Sequence, residues 1–126
     1  MALPKASTAP QPADGPLITK AFLRAGELLE LSQKDLAEII GVSEAGISRL
    51  ANGSKSLPIK GKEWELALQF IRLFRSLGGV LGNETTMRAW MNSPNTALKG
   101  TPRDLVKTVP GLLNVIDYLD YHRGQV

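Results

Sequence analysis

The chain has 126 residues, 43% of them apolar and 21% charged, and 15 basic residues against 12 acidic ones leave a formal charge of +3. That is the make-up of one ordinary globular domain or two very small ones. No run of about 18 apolar residues is available to span a bilayer, and Met1-Ala2-Leu3-Pro4-Lys5 lacks the apolar stretch of a secretory signal, so no membrane partner and a cytoplasmic location are expected. No cysteine and a single histidine, His122, exclude disulfides, thiolate catalysis, cysteine-held zinc and any multi-histidine metal site, and neither metal nor cofactor is expected.

Residues 1–16 hold Pro4, Pro10, Pro12 and Pro16 with small and polar residues between them, cannot build an apolar face, and read as a disordered tail. From Leu17 to Gly53 the spacing becomes helical: Leu17, Ala21, Leu28 and Leu31 share a face, then Leu36, Ala37, Ile39 and Ile40, then Ile47, Leu50 and Ala51. Three short helices follow from this. Ser32 with Asp35 three residues on has the form of a capping box, and Ser43 is placed to cap a third helix that ends at Asn52-Gly53.

Over 62–77, Trp64, Leu66, Ala67, Leu68, Phe70, Ile71, Leu73, Phe74 and Leu77 occupy most of a helix circumference, so this helix needs cover on two sides, and Gly78-Gly79 is expected to end it. Asn83 is expected to cap a short helix carrying Met87, Trp90 and Met91, broken by Asn92-Ser93-Pro94-Asn95. Thr101-Pro102-Arg103-Asp104 supplies a cap, a proline at the first helical position and an acid at the third. Thr108-Val109-Pro110-Gly111 reads as an interruption before a last helix over 112–122 with Leu112, Val115, Ile116 and Leu119 inward. Nothing alternates apolar with polar well enough for a strand. The expected fold is an all-α small helical bundle: a tail at 1–16, a helical module at 17–60 and a second at 61–126, which are small enough to share a core or dimerise.

The segment from Gln33 to Asn52 carries the sharpest signal. Two helices crossing steeply through a three-residue turn need a small residue where they approach, met by Ala37, a residue tolerant of positive φ in the turn, met by Gly41, and inward apolar residues, met by Leu36, Ile40, Val42, Ile47 and Leu50. In this spacing the segment resembles the helix-turn-helix of the Xre and Cro repressor family. The resemblance implies that the second motif helix lies in the major groove of DNA, with Ser43, Glu44, Ala45, Gly46, Ser48 and Arg49 outward. Arg49 suits guanine, Glu44 a cytosine amino group, and Ser43 or Ser48 a base or phosphate; Gln33, Lys34, Asn52 and Lys55 are placed for phosphate. Ala45 and Gly46 leave two positions nearly without readers, and seven bases face six acids through residue 60. A single copy should therefore bind weakly, and a homodimer on two half-sites is expected, formed by the central helix through Trp64, Leu68, Phe70, Ile71 and Phe74.

In the second module Asp117 and Asp120 stand three apart beside Tyr118, Tyr121 and His122, but no nucleophile, phosphate cradle or third ligand accompanies them, so a solvated helix face is the expected reading and no catalysis is assigned. Trp64, Phe70, Phe74, Met87, Trp90, Met91, Tyr118 and Tyr121 exceed what about 65 residues easily bury, which suits an interface; the other reading makes 62–77 a core helix packed on the first module.

Trp90 followed by Pro94-Asn95, Leu98, Gly100, Thr101-Pro102, Leu105, Thr108, Gly111, Val115 and Leu119 looks like the toxin-binding domain of Xre/MbcA/ParS-type antitoxins, which follows an Xre-like helix-turn-helix in one small chain. The resemblance implies a RES-domain toxin that consumes NAD as partner, occluded at its active site by this chain, and an operon repressed by the pair. The residues expected at the toxin are Tyr118, Tyr121, His122, Arg123, Gly124, Gln125 and Val126. Physically, a short basic terminus can thread a cleft shaped for an anionic dinucleotide, with Arg123 on acidic groups or the terminal carboxylate in a phosphate site. Two other readings remain open: a phage- or chromosome-type repressor with no toxin partner, and an adaptor whose first module no longer reads DNA.

Overall fold

A computed structural model describes residues 13–124, and every regular element among them is helical: α1 (Asp14–Leu28), α2 (Gln33–Ile40), α3 (Glu44–Ala51), α4 (Lys62–Leu81), α5 (Glu84–Met91), α6 (Pro102–Leu105) and α7 (Val109–Arg123). The all-α class is as expected. One isolated antiparallel bridge, Asn95 with Gly100, closes the turn before α6.

The helix begins inside the stretch read as tail. Asp14 places a carboxylate on the positive end of α1, and Pro16 falls in the first turn, where its missing N–H is not needed; residues 1–12 of that stretch lie outside the described residues. The buried face of α1 also differs from the expected one. Thr19, Phe22, Ala25, Gly26 and Leu29 point inward, while Leu17 is 63% exposed. Two apolar registers compete on this helix, and the larger one wins because the Phe22 ring meets Phe70 edge-on at 5.5 Å. Buried Thr19 donates its hydroxyl to the Gly15 carbonyl (2.6 Å) and accepts from the Leu57 N–H (2.8 Å), which ties the segment after α3 to α1.

At the start of α2 the capping box is complete: the Ser32 hydroxyl accepts from the Asp35 N–H (3.0 Å) and the Asp35 carboxylate from the Ser32 N–H (2.9 Å). Gly41 then ends the helix at φ 75°, a conformation that a side chain would strain. Ser43 caps α3 by accepting from the Gly46 N–H at 3.0 Å.

Helix α4 is the spine. It packs on α1 and α2 along one side and on α5 and α7 along the other, with Trp64, Leu66, Ala67, Phe70, Leu73, Ser76 and Leu77 buried. The expected end at Gly78-Gly79 is wrong: the helix runs to Leu81 and closes at Gly82 in the left-handed region (φ 86°). Glycine costs a helix interior about 1 kcal/mol, and here the bare positions accept neighbours, Met87 beside Gly78 and the Arg123 side chain close on Gly79. The core-helix reading of α4 therefore holds. Trp64 and Phe70, expected at a dimer face, are taken up by this chain's own core, because a helix covered on two sides has little circumference left. Ile71 and Phe74 are half-buried, and only Leu68, at 38%, is exposed. The apolar surplus shrinks accordingly: Met87 and Met91 are buried, Phe74, Trp90 and Tyr118 pack on the core, and of that group Tyr121 alone is exposed.

Asn83 caps α5 through the Thr86 N–H (2.9 Å), as expected. Thr101 makes no side-chain cap to α6, although Pro102 does open that single turn. The cap belongs instead to Thr108, which accepts from the Gly111 N–H (3.1 Å), so Thr108 to Gly111 begins α7 rather than interrupting it. Leu112, Val115, Ile116 and Leu119 are buried at 2% exposure or less, against α4.

Candidate functional sites

The first candidate surface is the outer face of the α2–α3 pair. Leu36, Ala37, Ile40, Ile47 and Leu50 are buried, and Ser43, Glu44, Ala45, Ser48, Arg49 and Asn52 are exposed as a direct consequence, with Gly46 half-buried. Ser43 is committed to its cap, which leaves it fixed near the helix start. The Ser48 hydroxyl donates to the Gln33 side-chain oxygen at 2.8 Å, joining the middle of α3 to the first residue of α2. The Asn52 side chain accepts from the Ser54 N–H (2.9 Å), and the Arg49 carbonyl accepts from the Lys55 N–H (3.2 Å), so the chain after α3 folds back and carries Lys55 to the same end. Among the described residues no ion pair engages Lys34, Arg49 or Lys55, all exposed. Beside α3 lies a groove of about 920 Å³ between α1 and residues 50–56, lined by Leu17, Lys20, Arg24 and Lys55 among others. Sequence spacing did not signal it, since it exists only once α1 and the loop meet.

A second group of residues joins the two halves of the chain. The Asp35 carboxylate, at 8% side-chain exposure, receives Arg103 and also Lys107 (3.0 Å), and Lys107 reaches Glu38 at 3.3 Å. Arg103 further donates to the Asn92 side chain at 3.0 Å. Burial pushes the Asp35 carboxyl up, but the Ser32 N–H, Lys107 and Arg103 outweigh it and hold the group well below the usual carboxylate range. Lys107 is raised above its ordinary value chiefly by its bond to Asp35. On the other flank Arg88 donates to the Leu28 carbonyl (3.1 Å) and pairs with Glu30 (3.4 Å). None of these cross-links was foreseen from the sequence.

The third surface is the outer and terminal part of α7. Tyr118 is half-buried, stacked on Trp90 at 6.3 Å and against His122 at 4.3 Å, while Tyr121, His122, Arg123 and Gly124 are exposed; Gln125 and Val126 lie outside the described residues. Val109 (44%), Leu113 (41%) and Tyr121 (65%) are the exposed large apolar residues of α7, with Val109 and Leu113 one turn apart and Tyr121 separated from them by exposed Asp117. Asp120 is structural: Ser76, fully buried, donates to it at 2.7 Å and Arg72 pairs with it, and these partners, Ser76 first, hold its carboxyl below the ordinary range against the effect of burial. Asp117 and Asp120 thus do not form an acid–base pair. Among the described residues no cluster of histidine, aspartate and glutamate is able to hold a metal ion, and no helix is long and apolar enough to cross a membrane.

A helix-turn-helix at one end, a helical unit with exposed apolar residues and a basic terminus at the other, and ionic cross-links between them define a small two-part binding protein. Comparison with known families gives its class. Residues 11–72 match the antitoxin Xre-like helix-turn-helix domain, and residues 76–124 match the antitoxin Xre/MbcA/ParS C-terminal toxin-binding domain. The chain belongs to the Xre/MbcA/ParS antitoxins, and is the antitoxin of a toxin–antitoxin system. A chain from the crystal structure of the M. tuberculosis MbcT–MbcA toxin–antitoxin complex shares the fold, with a TM-score of 0.66 and 22% identity over 87% of this chain and 96% of that one. No curated protein matches the sequence.

Proposed function

We propose that this antitoxin occludes the active site of a RES-type, NAD-consuming toxin and, as a DNA-binding homodimer, represses its own operon. The observation that carries the reading is the order of two matched domains on one fold, each with exposed residues suited to its partner. Residues 17–60 act on the operator and 61–126 on the toxin. On the DNA side, Arg49 donates to guanine, Glu44 and Ser48 meet base edges, Ala45 and Gly46 allow close approach, and Gln33, Lys34, Ser43, Asn52 and Lys55 hold phosphates. On the toxin side, Tyr121, His122, Arg123 and Gly124 lead Gln125 and Val126 into the cleft, with Tyr118 holding His122 in place. Of the α4 residues expected at a dimer contact, Leu68, Ile71 and Phe74 are left for it.

Co-expression with the product of the adjacent gene tests the pairing: co-purification and rescue of growth are expected, and their absence removes the toxin reading. Arg49→Ala is expected to weaken binding to the chain's own promoter by about ten- to a hundredfold, the worth of one bidentate base contact, and to leave growth rescue intact. Unchanged affinity in a gel-shift titration sinks the groove assignment. Deleting residues 121–126 is expected to do the reverse, with rescue lost and promoter binding kept.

A further inference from the structure

We infer that Ser48 selects a base carrying an amino group, adenine or cytosine, because Gln33 holds the only proton its hydroxyl can donate. The inference rests on the DNA-reading half of the proposed function and adds the polarity of one contact to it. A serine hydroxyl has one O–H and two lone pairs. In α3 that O–H is directed to the Gln33 side-chain oxygen at 2.8 Å, and both side chains are exposed on the face that carries Arg49. What Ser48 turns outward is then an acceptor and nothing else.

Base edges in the major groove present amino donors, N6 of adenine and N4 of cytosine, and acceptors, O6 of guanine, O4 of thymine and N7 of both purines. A serine with a free proton serves both kinds and discriminates little. With its proton committed, it gains a bond from an amino group and faces lone-pair repulsion and an unmet acceptor from a keto group. Gln33 is the positioning residue: its oxygen takes the Ser48 proton, and its amide keeps two N–H donors, the right polarity for a phosphate oxygen. Arg49, one residue further along α3, carries donors only. Neighbouring readers thus have opposite polarity, Ser48 for an amino base and Arg49 for guanine, which compensates for the small side chains at Ala45 and Gly46.

Selection from a randomised double-stranded DNA pool, using the full chain, tests this. The position set by Ser48 is the one that Ser48→Ala flattens. It is expected to hold adenine or cytosine over guanine or thymine by about tenfold in the native chain. Gln33→Ala frees the hydroxyl, and the preference at that position is expected to fall close to unity while the guanine set by Arg49 persists. Gln33→Glu keeps an oxygen for the Ser48 proton, so the preference returns although overall affinity drops through the added negative charge. A keto base at that position, a preference unmoved by Gln33→Ala, or a motif with no position sensitive to Ser48→Ala overturns the inference and leaves the DNA reading standing. No enriched motif from the native chain overturns both.

Discussion

Gly111→Ala is expected to cost more than about 3 kcal/mol, at or beyond the upper end of ordinary overpacking. An added Cβ would lie 1.9 Å from the Leu105 carbonyl oxygen, 2.8 Å from the Thr108 hydroxyl and 2.9 Å from the Leu105 carbonyl carbon. The approach is that close because α7 starts directly over the end of α6: the Gly111 N–H bonds to Thr108, and Thr108 in turn bonds back to the Leu105 carbonyl. A flexible side chain would yield to a methyl group, but the obstacle here is backbone. Moving it displaces fully buried Val106 and the two cations flanking it, Arg103 and Lys107, which hold Asp35. The denaturation midpoint should fall steeply, and binding of the toxin should fail together with it. Gly124→Ala is the matched control, since its Cβ would sit 3.5 Å from the nearest carbonyls, an ordinary contact. A Gly111→Ala chain as stable as the Gly124→Ala chain would show that the α6–α7 corner relaxes freely, and the packing described for it would be wrong.

Most signals confined to a few residues were legible in the sequence, although Thr101 makes no cap and Thr108 to Gly111 opens a helix instead of breaking one. Ser32 with Asp35, Ser43 and Asn83 all cap helices because a hydroxyl, carboxylate or amide at that place bonds to an N–H three residues away, whatever the rest of the chain does. The turn at Gly41 was legible for the same reason, and the outward face of α3 followed from its inward one. Features decided by competition between partners were not. On α1 the Leu17 register is a sound apolar pattern until Phe70 supplies a partner for Phe22 instead. Gly78-Gly79 is a sound helix stop until Met87 and Arg123 make use of the missing side chains. The charged groups were least legible. Arg103 looks like a first-turn helix residue, yet it reaches a carboxylate 68 residues earlier in the chain. At the candidate sites the same division holds: Arg49 and Lys55 could be named from helix phase, but the bond between Ser48 and Gln33 depends on how α2 and α3 cross.

Asp35→Asn is expected to destabilise the fold by about 2–3 kcal/mol at neutral pH, below the full range for breaking a buried pair because Arg103 and Lys107 keep about a third and a quarter of their side chains in water. The amide oxygen still accepts from the Ser32 N–H and from Arg103, which share Oδ2, so the helix cap survives, but the NH2 that replaces Oδ1 turns N–H donors on Lys107; Arg103 loses its counter-charge and Lys107 keeps only Glu38. The pH dependence separates this from loss of packing. The folded carboxyl lies below its unfolded value of 3.8, so the stability it contributes is present above about pH 4 and is lost as pH falls from there towards the folded value. The native and Asp35→Asn chains should therefore differ most near neutrality and converge in acid. At the alkaline end Lys107, raised above 10.5, adds stability present below that value and lost as pH climbs through the folded one. Because Asp35 anchors α2 to α6, the variant should also speed hydrogen exchange at the α6 amides while α3 stays protected, which a general loss of stability would not do. A stability difference that stays constant from pH 7 to pH 3 would mean that the cations are held by solvent rather than by Asp35, and the helix-turn-helix would then be joined to the toxin-binding half by α4 packing and the Arg88 contacts to Leu28 and Glu30.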